Sequence, residues 1–231
     1  MLAQALALSL VLPVLVSAGI FPPGGPVKML QDTVFRKTLK DEKTSVVAFV
    51  APWCGHCKNL SPEYSKAAQS LSPLIDFYAV DCDADENKRL CAEQGVKGFP
   101  TVKSFPRGLK GASHDYHGER TAASIASWAG SEVPARVTTL KSIDAVNKWS
   151  DKDITEPRAL LLTTQSKIPV LWKVLGSRFY KDISFGATKD ESGSITKSLG
   201  LGEWELDIKS KVAIWKKGAK KPTLYDGKSL L

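Results

Sequence analysis

The sequence predicts an α/β protein built from two successive units, each a sheet with helices packed on both faces. Three observations carry this expectation. From Val27 to Ala129 short apolar runs alternate with segments of helical period, the pattern of helices laid against a largely parallel sheet. The run Val46-Val47-Ala48-Phe49-Val50-Ala51 contains no polar side chain, as a central strand covered on both faces requires. From Val137 onward the same order of elements begins again.

The first stretch stands outside this pattern. Leu2 to Phe21 carries no charged side chain, and Leu6 to Val16 is a largely apolar run containing Pro13. It meets Val16-Ser17-Ala18, small at the positions a signal peptidase reads, so residues 1–18 are expected to be a secretory leader cut after Ala18. An uncleaved anchor is the other reading, and the run falls short of the ~20 residues a bilayer span needs. Behind a leader the mature chain meets an oxidising compartment, where disulfides persist. Residues 19–26 read as a Pro/Gly linker.

The first unit, 27–132, is expected to run as strand Val27–Leu30, helix Asp32–Leu39, strand Val46–Ala51, helix Cys54–Leu71, strand Ile75–Val80 and helix Asp85–Gln94. Strands Thr101–Phe105 and His114–Tyr116 and helix Thr121–Ala129 follow. Pro62 inside the long helix should kink it, because it removes a backbone donor and crowds the preceding turn. In the second unit, 133–231, strand Val137–Leu140, helix Ser142–Trp149, strand Ala159–Thr163, helix Lys167–Phe179, strand Asp182–Phe185, helix Asp190–Leu199 and strands Val212–Trp215 and Thr223–Tyr225 repeat the order. Ile168, Leu171, Trp172, Leu175 and Phe179 fall at helical spacing and read as a core-facing stripe. A closing helix is expected where the chain reaches Lys228-Ser229-Leu230-Leu231, so either the chain is truncated or this unit ends open.

Composition bounds the function. The 231 residues are 43% hydrophobic and 24% charged, which excludes wholesale disorder and a multi-span membrane protein. The net charge of +8 comes mostly from the second unit: up to Glu132 there are 14 basic and 13 acidic residues, and from Ala135 there are 18 and 11. Lys209, Lys211, Lys216, Lys217, Lys220, Lys221 and Lys228 read as a solvated face, since no nucleic-acid motif or aromatic interleaving accompanies them; a surface for an acidic partner, anionic membrane or nucleic acid is the alternative. Neither a nucleic-acid partner nor stable membrane insertion is expected.

Four cysteines are present, two of them in Cys54-Gly55-His56-Cys57. At the start of a helix this spacing puts both thiols on one face, close enough to form and exchange a disulfide. The helix N-terminus stabilises a thiolate at Cys54, and a protonated His56 adds to it. A combined shift of about 3 units would favour the dithiol by roughly 4 kcal/mol, raising the potential by roughly 90 mV. Zinc is disfavoured because Cys82 and Cys91 lack the spacing of a zinc knuckle, and an inert Cys54–Cys57 bridge would close too short a loop to stabilise much. Cys82 ends a strand and Cys91 lies on the next helix, so a disulfide would tie the two; two free buried thiols are the alternative. His114 and His117 lack a third ligand, and the sequon Asn59-Leu60-Ser61, followed by Pro62, is expected to stay unglycosylated.

Ala51-Pro52-Trp53-Cys54-Gly55-His56-Cys57-Lys58, Gly98-Phe99-Pro100-Thr101 and Tyr116-His117-Gly118-Glu119-Arg120 together resemble the catalytic thioredoxin domain of the protein disulfide isomerase family. The resemblance covers about Val27–Gly130; the second unit is similar in element order to that family's redox-inactive domains, an arrangement seen in small fungal members. It implies two thioredoxin-like domains in tandem, the second lacking its closing helix. Cys54 would attack and Cys57 resolve; Gly55 and His56 complete the motif. Pro100, as a cis-proline, would face them together with Phe99 and present backbone to a client segment. Trp53 would wall the client site, and Arg120 would swing toward Cys57 to ease its deprotonation.

The sequence departs from the family at a buried carboxylate six residues before Cys54, where Ala48 stands, and at its lysine partner, where Ala79 stands. Loss of both together is physically consistent, since one charge left alone in the core would cost several kcal/mol. The second unit has no cysteine, and its cis-proline position holds Ser210 or Lys211.

The reading is therefore a thiol-disulfide oxidoreductase of the endoplasmic reticulum lumen that forms and isomerises disulfides in clients through a mixed disulfide at Cys54. It needs no metal or other cofactor. Its expected partners are cysteine-containing client polypeptides and a secretory-pathway thiol oxidase, although no C-terminal retention signal ends the chain. A redox-poised chaperone or adaptor with little turnover is the alternative.

Overall fold

A computed structural model describes residues 19–151, 155–203 and 209–225. The expected leader and the position of a closing helix after Tyr225 lie outside the described residues.

The first unit comprises β1 (Val27–Met29), α1 (Asp32–Thr38), β2 (Ser45–Val50), α2 (Gly55–Leu71), β3 (Asp76–Asp81), a 3-10 turn (Asp85–Asn87), α3 (Lys88–Glu93), β4 (Thr101–Leu109), β5 (His114–Asp115) and α4 (Ala122–Glu132). Its sheet has the order β1-β3-β2-β4-β5. β1, β3 and β2 run parallel and β4 and β5 antiparallel. The second unit holds β6 (Thr138–Leu140), α5 (Ile143–Asp151), β7 (Arg158–Thr163), α6 (Val170–Phe179), β8 (Ser184–Lys189), α7 (Ser194–Ser198), β9 (Ser210–Trp215) and β10 (Thr223–Leu224). Its order, β6-β8-β7-β9-β10, reproduces the first with the same directions. Two mixed sheets of matching topology make two tandem thioredoxin-like domains.

The central strand shows why the sequence demands two layers of helix. All six residues of β2 are buried, and successive side chains point to opposite faces. Val46, Ala48 and Val50 join Cys57, Leu60, Tyr64 and Ile125 on one face, while Val47 and Phe49 join Phe35, Leu39 and Phe105 on the other. α2 runs through Pro62 as one helix and buries Cys57, Leu60, Tyr64, Ala67, Ala68 and Leu71. β7 repeats this arrangement: it is buried throughout, with Leu160 and Leu162 facing one cluster and Ala159 and Leu161 the other.

Some elements differ from the sequence expectation. β4 continues past Phe105 to Leu109 because Gly108 adopts φ +53° and lets Leu109 N–H donate to the Leu39 carbonyl at 2.8 Å. α7 begins four residues after Asp190, whose buried carboxylate instead accepts from Ile195 N–H, Thr196 N–H and the Thr196 hydroxyl. The α6 stripe is only partly core. Trp172 is buried and Ile168 and Leu175 pack beside it, but Leu171 is 52% and Phe179 37% exposed. The other unit draws part of this helix toward itself: Val170 and Val174 pack on the first unit's core beside Val133, and Lys173 Nζ donates to the Gly130 carbonyl at 3.3 Å. Gly130 permits this approach, since a Cβ there would stand 2.7 Å from Val170 Cγ2.

Candidate active site

Cys54 caps α2 in extended conformation, and its carbonyl accepts the N–H groups of Cys57 and Lys58 at 3.1 and 3.2 Å. The cap residue is thereby fixed at the end of the central strand, where the helix's first N–H groups are left without backbone partners. Cys54 is 8% exposed and Cys57 fully buried, and both are free thiols. One thiol can therefore be reached from solvent while its neighbour is sealed beneath it.

Burial makes both thiolates costly, but the two differ in what opposes it. At Cys54 the Cys57 thiol, the N–H groups of Cys57 and His56 and the charge of Arg120 outweigh desolvation and hold the thiol below its ordinary value. At Cys57 desolvation dominates, a neighbouring thiolate adds to it, and the thiol is pushed up to about 12. This asymmetry gives an attacking and a resolving member. His56 acts on Cys54 through its backbone N–H, and its imidazole is exposed.

Phe99-Pro100 is a cis peptide bond, and the Cys54 Sγ donates to the Phe99 carbonyl at 3.6 Å. The Trp53 ring, 66% exposed, meets the Phe99 ring edge-on at 5.9 Å. Trp53, Phe99 and Pro100 thus gather around Cys54 as an exposed apolar wall. Arg120 is exposed on the loop before α4, and its charge favours the thiolate at both cysteines. Gly55 opens α2 with free space where a side chain would be, so no steric demand of the fold accounts for it. A disulfide joins Cys82 at the end of β3 to Cys91 on α3.

Two residues to which the sequence reading gave no role hold this arrangement. Asp83 accepts from Trp53 Nε1 at 3.0 Å. The Tyr116 hydroxyl donates to the Glu119 carbonyl at 2.5 Å while its ring packs on Trp128, which fixes the backbone next to Arg120. The Asp83–Trp53 and Tyr116–Trp128 pairings carry no local signal because packing decides them; the Tyr116–Glu119 bond lies within the Tyr-His-Gly-Glu-Arg motif itself.

Among the described residues no cluster of His, Cys, Asp or Glu could hold a metal, and no helix is long and apolar enough to cross a membrane. The geometry of the two cysteines supports thiol-disulfide exchange.

The thioredoxin family model matches residues 26–131. Over 148 residues the chain is 37% identical to a mitochondrial thioredoxin domain-containing protein of Schizosaccharomyces pombe, covering 63% of this chain and 41% of that one. It is 36% identical over 159 residues to a putative protein disulfide-isomerase of Dictyostelium discoideum, covering 67% and 38%. With the protein disulfide-isomerase A6 homolog of Drosophila melanogaster it shares 37% over 140 residues, covering 60% and 32%. The chain thus spans less than half the length of these relatives. A crystal structure of ERdj5 superposes with a TM-score of 0.53 at 20% identity, covering 87% of this chain and 27% of that one, a likeness of fold.

Proposed function

We propose that the chain, which matches the thioredoxin model over residues 26–131 and is similar to proteins named protein disulfide-isomerase, is a thiol-disulfide oxidoreductase that forms and rearranges disulfides in client polypeptides. The carrying observation is the pair itself: a near-surface thiol held below its ordinary value and a buried one pushed up to about 12. The Cys54 thiolate attacks a client disulfide, one client sulfur leaves as a thiolate, and a Cys54–client bond forms. Cys57 then loses its proton and attacks Cys54, releasing the second client thiolate and leaving Cys54–Cys57 oxidised. In the forward oxidising direction the Cys54–Cys57 disulfide is the electron acceptor, and a secretory-pathway thiol oxidase would regenerate it.

The apolar residues 1–18 support a setting in the lumen of the endoplasmic reticulum. One relative carries a mitochondrial designation, so fractionation of cells expressing the full chain is the decisive check. We assign residues 27–132 to the catalytic domain and 133–231 to a redox-inactive one. Cys54 and Cys57 are assigned the chemistry, Arg120 the deprotonation of Cys57, and Trp53, Phe99 and Pro100 the client contact.

The test is trapping. A Cys57→Ser variant expressed in secreting cells should accumulate client adducts that dissolve on reduction, while Cys54→Ser should form none. Absence of adducts in both, together with failure of the wild type to reactivate a scrambled disulfide protein, refutes the assignment. Adducts without reactivation would favour the chaperone or adaptor reading.

A further inference from the structure

A cleft of about 680 Å³ opens between the two domains. It lies at the end of the first domain remote from its thiols: Lys43 and Thr44 precede β2 and Pro73 and Leu74 follow α2, whereas Cys54 lies beyond β2 and caps the start of α2. At 1.5 Å per residue the 17 residues of α2 put about 25 Å between its ends. An occupant of the cleft does not touch Cys54.

The floor is apolar. Leu74 of the first domain and Val133 at the domain boundary, which packs on the first domain's core, contribute, and Leu171, Val174 and Leu175 come from α6. Leu171 is 52% exposed, whereas Val170, Trp172, Val174 and Leu175 of the same helix pack on one core or the other. The rim carries charge that the fold leaves unmatched. Glu42, a lining carboxylate, is occupied: Arg107 and Lys110 hydrogen-bond to it at 2.7 and 3.0 Å and hold it down at about 2. Lys43 is paired with Asp76 at 2.6 Å. Arg136, Arg178 and Lys181, by contrast, have no carboxylate within ion-pairing distance among the described residues. Only Asp41 among the lining carboxylates stands against these three.

All three cations lie against aromatic rings, Arg178 at 5.7 Å from the centre of the Phe179 ring. The Arg136 guanidinium lies 3.7 Å over the Tyr180 ring, and Lys181 Nζ lies 5.7 Å from the centre of the same ring. A guanidinium stacked on an aromatic face keeps its N–H edge free and oriented, ready for a carboxylate. An apolar floor between unmatched, oriented cations is complementary to a chain that offers an apolar side chain between carboxylates. A fully apolar segment would leave the cations unpaired, and a basic one would be repelled.

We propose that this interdomain cleft is a second polypeptide-binding site, which takes an extended acidic segment with its carboxylates on Arg136, Arg178 and Lys181 and an apolar side chain over Leu171. It goes beyond the redox function and does not depend on it, because neither thiol takes part. It gives the second domain, which has no cysteine, a binding role.

The test titrates the full chain into a fluorescein-labelled, cysteine-free peptide in which leucines are spaced between glutamates, read by anisotropy. Binding should weaken by about tenfold or more in Arg178→Glu/Lys181→Glu and in Leu171→Glu. It should stay unchanged in Lys216→Glu/Lys217→Glu, which removes equal charge from the exposed turn between β9 and β10. The cleft positions are exposed, so circular dichroism should show native folding; Leu171→Ala offers a milder variant if a charge reversal fails to fold. The same peptide with lysine in place of glutamate should not bind. Failure of the acidic peptide to bind, affinity unmoved by the cleft variants, or an equal loss in the Lys216→Glu/Lys217→Glu variant would overturn the proposal.

Discussion

Ala48 on β2 stands directly across the parallel ladder from Ala79 on β3, and both side chains are fully buried. They share a cluster with Cys57 and with Tyr64, whose buried hydroxyl donates to the Tyr78 carbonyl at 3.0 Å. Two small apolar residues therefore face each other where the family resemblance implies a buried ion pair, and among the described residues no buried carboxylate lies in the first domain. Ala48→Glu should destabilise the protein by about 3–5 kcal/mol, the cost of a charge buried alone. Ala48→Glu/Ala79→Lys should recover part of this loss and release clients faster than wild type at neutral pH. Urea midpoints and rapid-mixing decay of a Cys54 adduct check both statements; equal release rates in all three proteins across about pH 6–9 would show that another step limits turnover.

The two thiols should respond to pH with opposite sign. Cys57 is raised from 9.0 to about 12, so the fold favours its neutral form. The stability of the reduced protein is retained below pH 9.0 and lost as pH rises toward about 12. Cys54 is lowered from 9.0, so its contribution is present above that value and disappears as pH falls through its folded value. Denaturation of the reduced protein against pH should have a shallower alkaline slope in Cys57→Ala, the remainder coming from Tyr64 and Tyr78, whose hydroxyls burial also raises, and Cys54 should alkylate well before Cys57 at neutral pH.

Arg120 favours the thiolate at both cysteines. Arg120→Ala should raise the pH at which Cys54 alkylates and slow client release, with partial rescue by Arg120→Lys. Tyr116→Phe removes the bond to the Glu119 carbonyl, worth about 1 kcal/mol, and should move both readouts less in the same direction. An unchanged alkylation profile in Arg120→Ala would remove its assigned role.

The Cys82–Cys91 bridge closes a loop with a sequence separation of 9. Cys82→Ala/Cys91→Ala should cost roughly 2.5–3 kcal/mol in the chain-entropy account. Cys82 adjoins Asp83, the partner of Trp53 Nε1, so tryptophan emission of the folded variant should change as well. Urea midpoints equal to wild type would refute the first expectation, and an unaltered spectrum the second.

Gly108 has φ +53°, and a Cβ there would lie 2.2 Å from the Leu39 carbonyl oxygen and 2.3 Å from that of Asp41. Gly108→Ala should destabilise the first domain by about 2 kcal/mol or more, combining left-handed backbone cost with the displacement of two carbonyls. A thermal midpoint within error of wild type would refute this.

Much of this protein is legible from its sequence because the signals are local. The apolar run through Val46–Ala51 required burial on both faces, and the Cys-Gly-His-Cys spacing at a helix start placed two thiols on one face before any fold was known. The restart at Val137 gave the second domain, whose sheet repeats the first strand for strand. Periodicity could not decide what lay opposite each face. Leu171 has the spacing of a core residue, but α6 lies between two units and turns it into the cleft. Asp190 reads as a helix start yet caps α7 from outside it. The roles of Asp83 and Tyr116 depend on partners 30 residues away in one case and on the packing of Trp128 in the other. The sequence by itself determined which residues are apolar, which can carry redox chemistry and where the chain bends, because these follow from side-chain chemistry and short-range period. Tertiary structure alone decided which thiol is buried deeply enough to keep its proton and which charges find partners, because desolvation and ion pairing depend on neighbours brought together from distant parts of the chain.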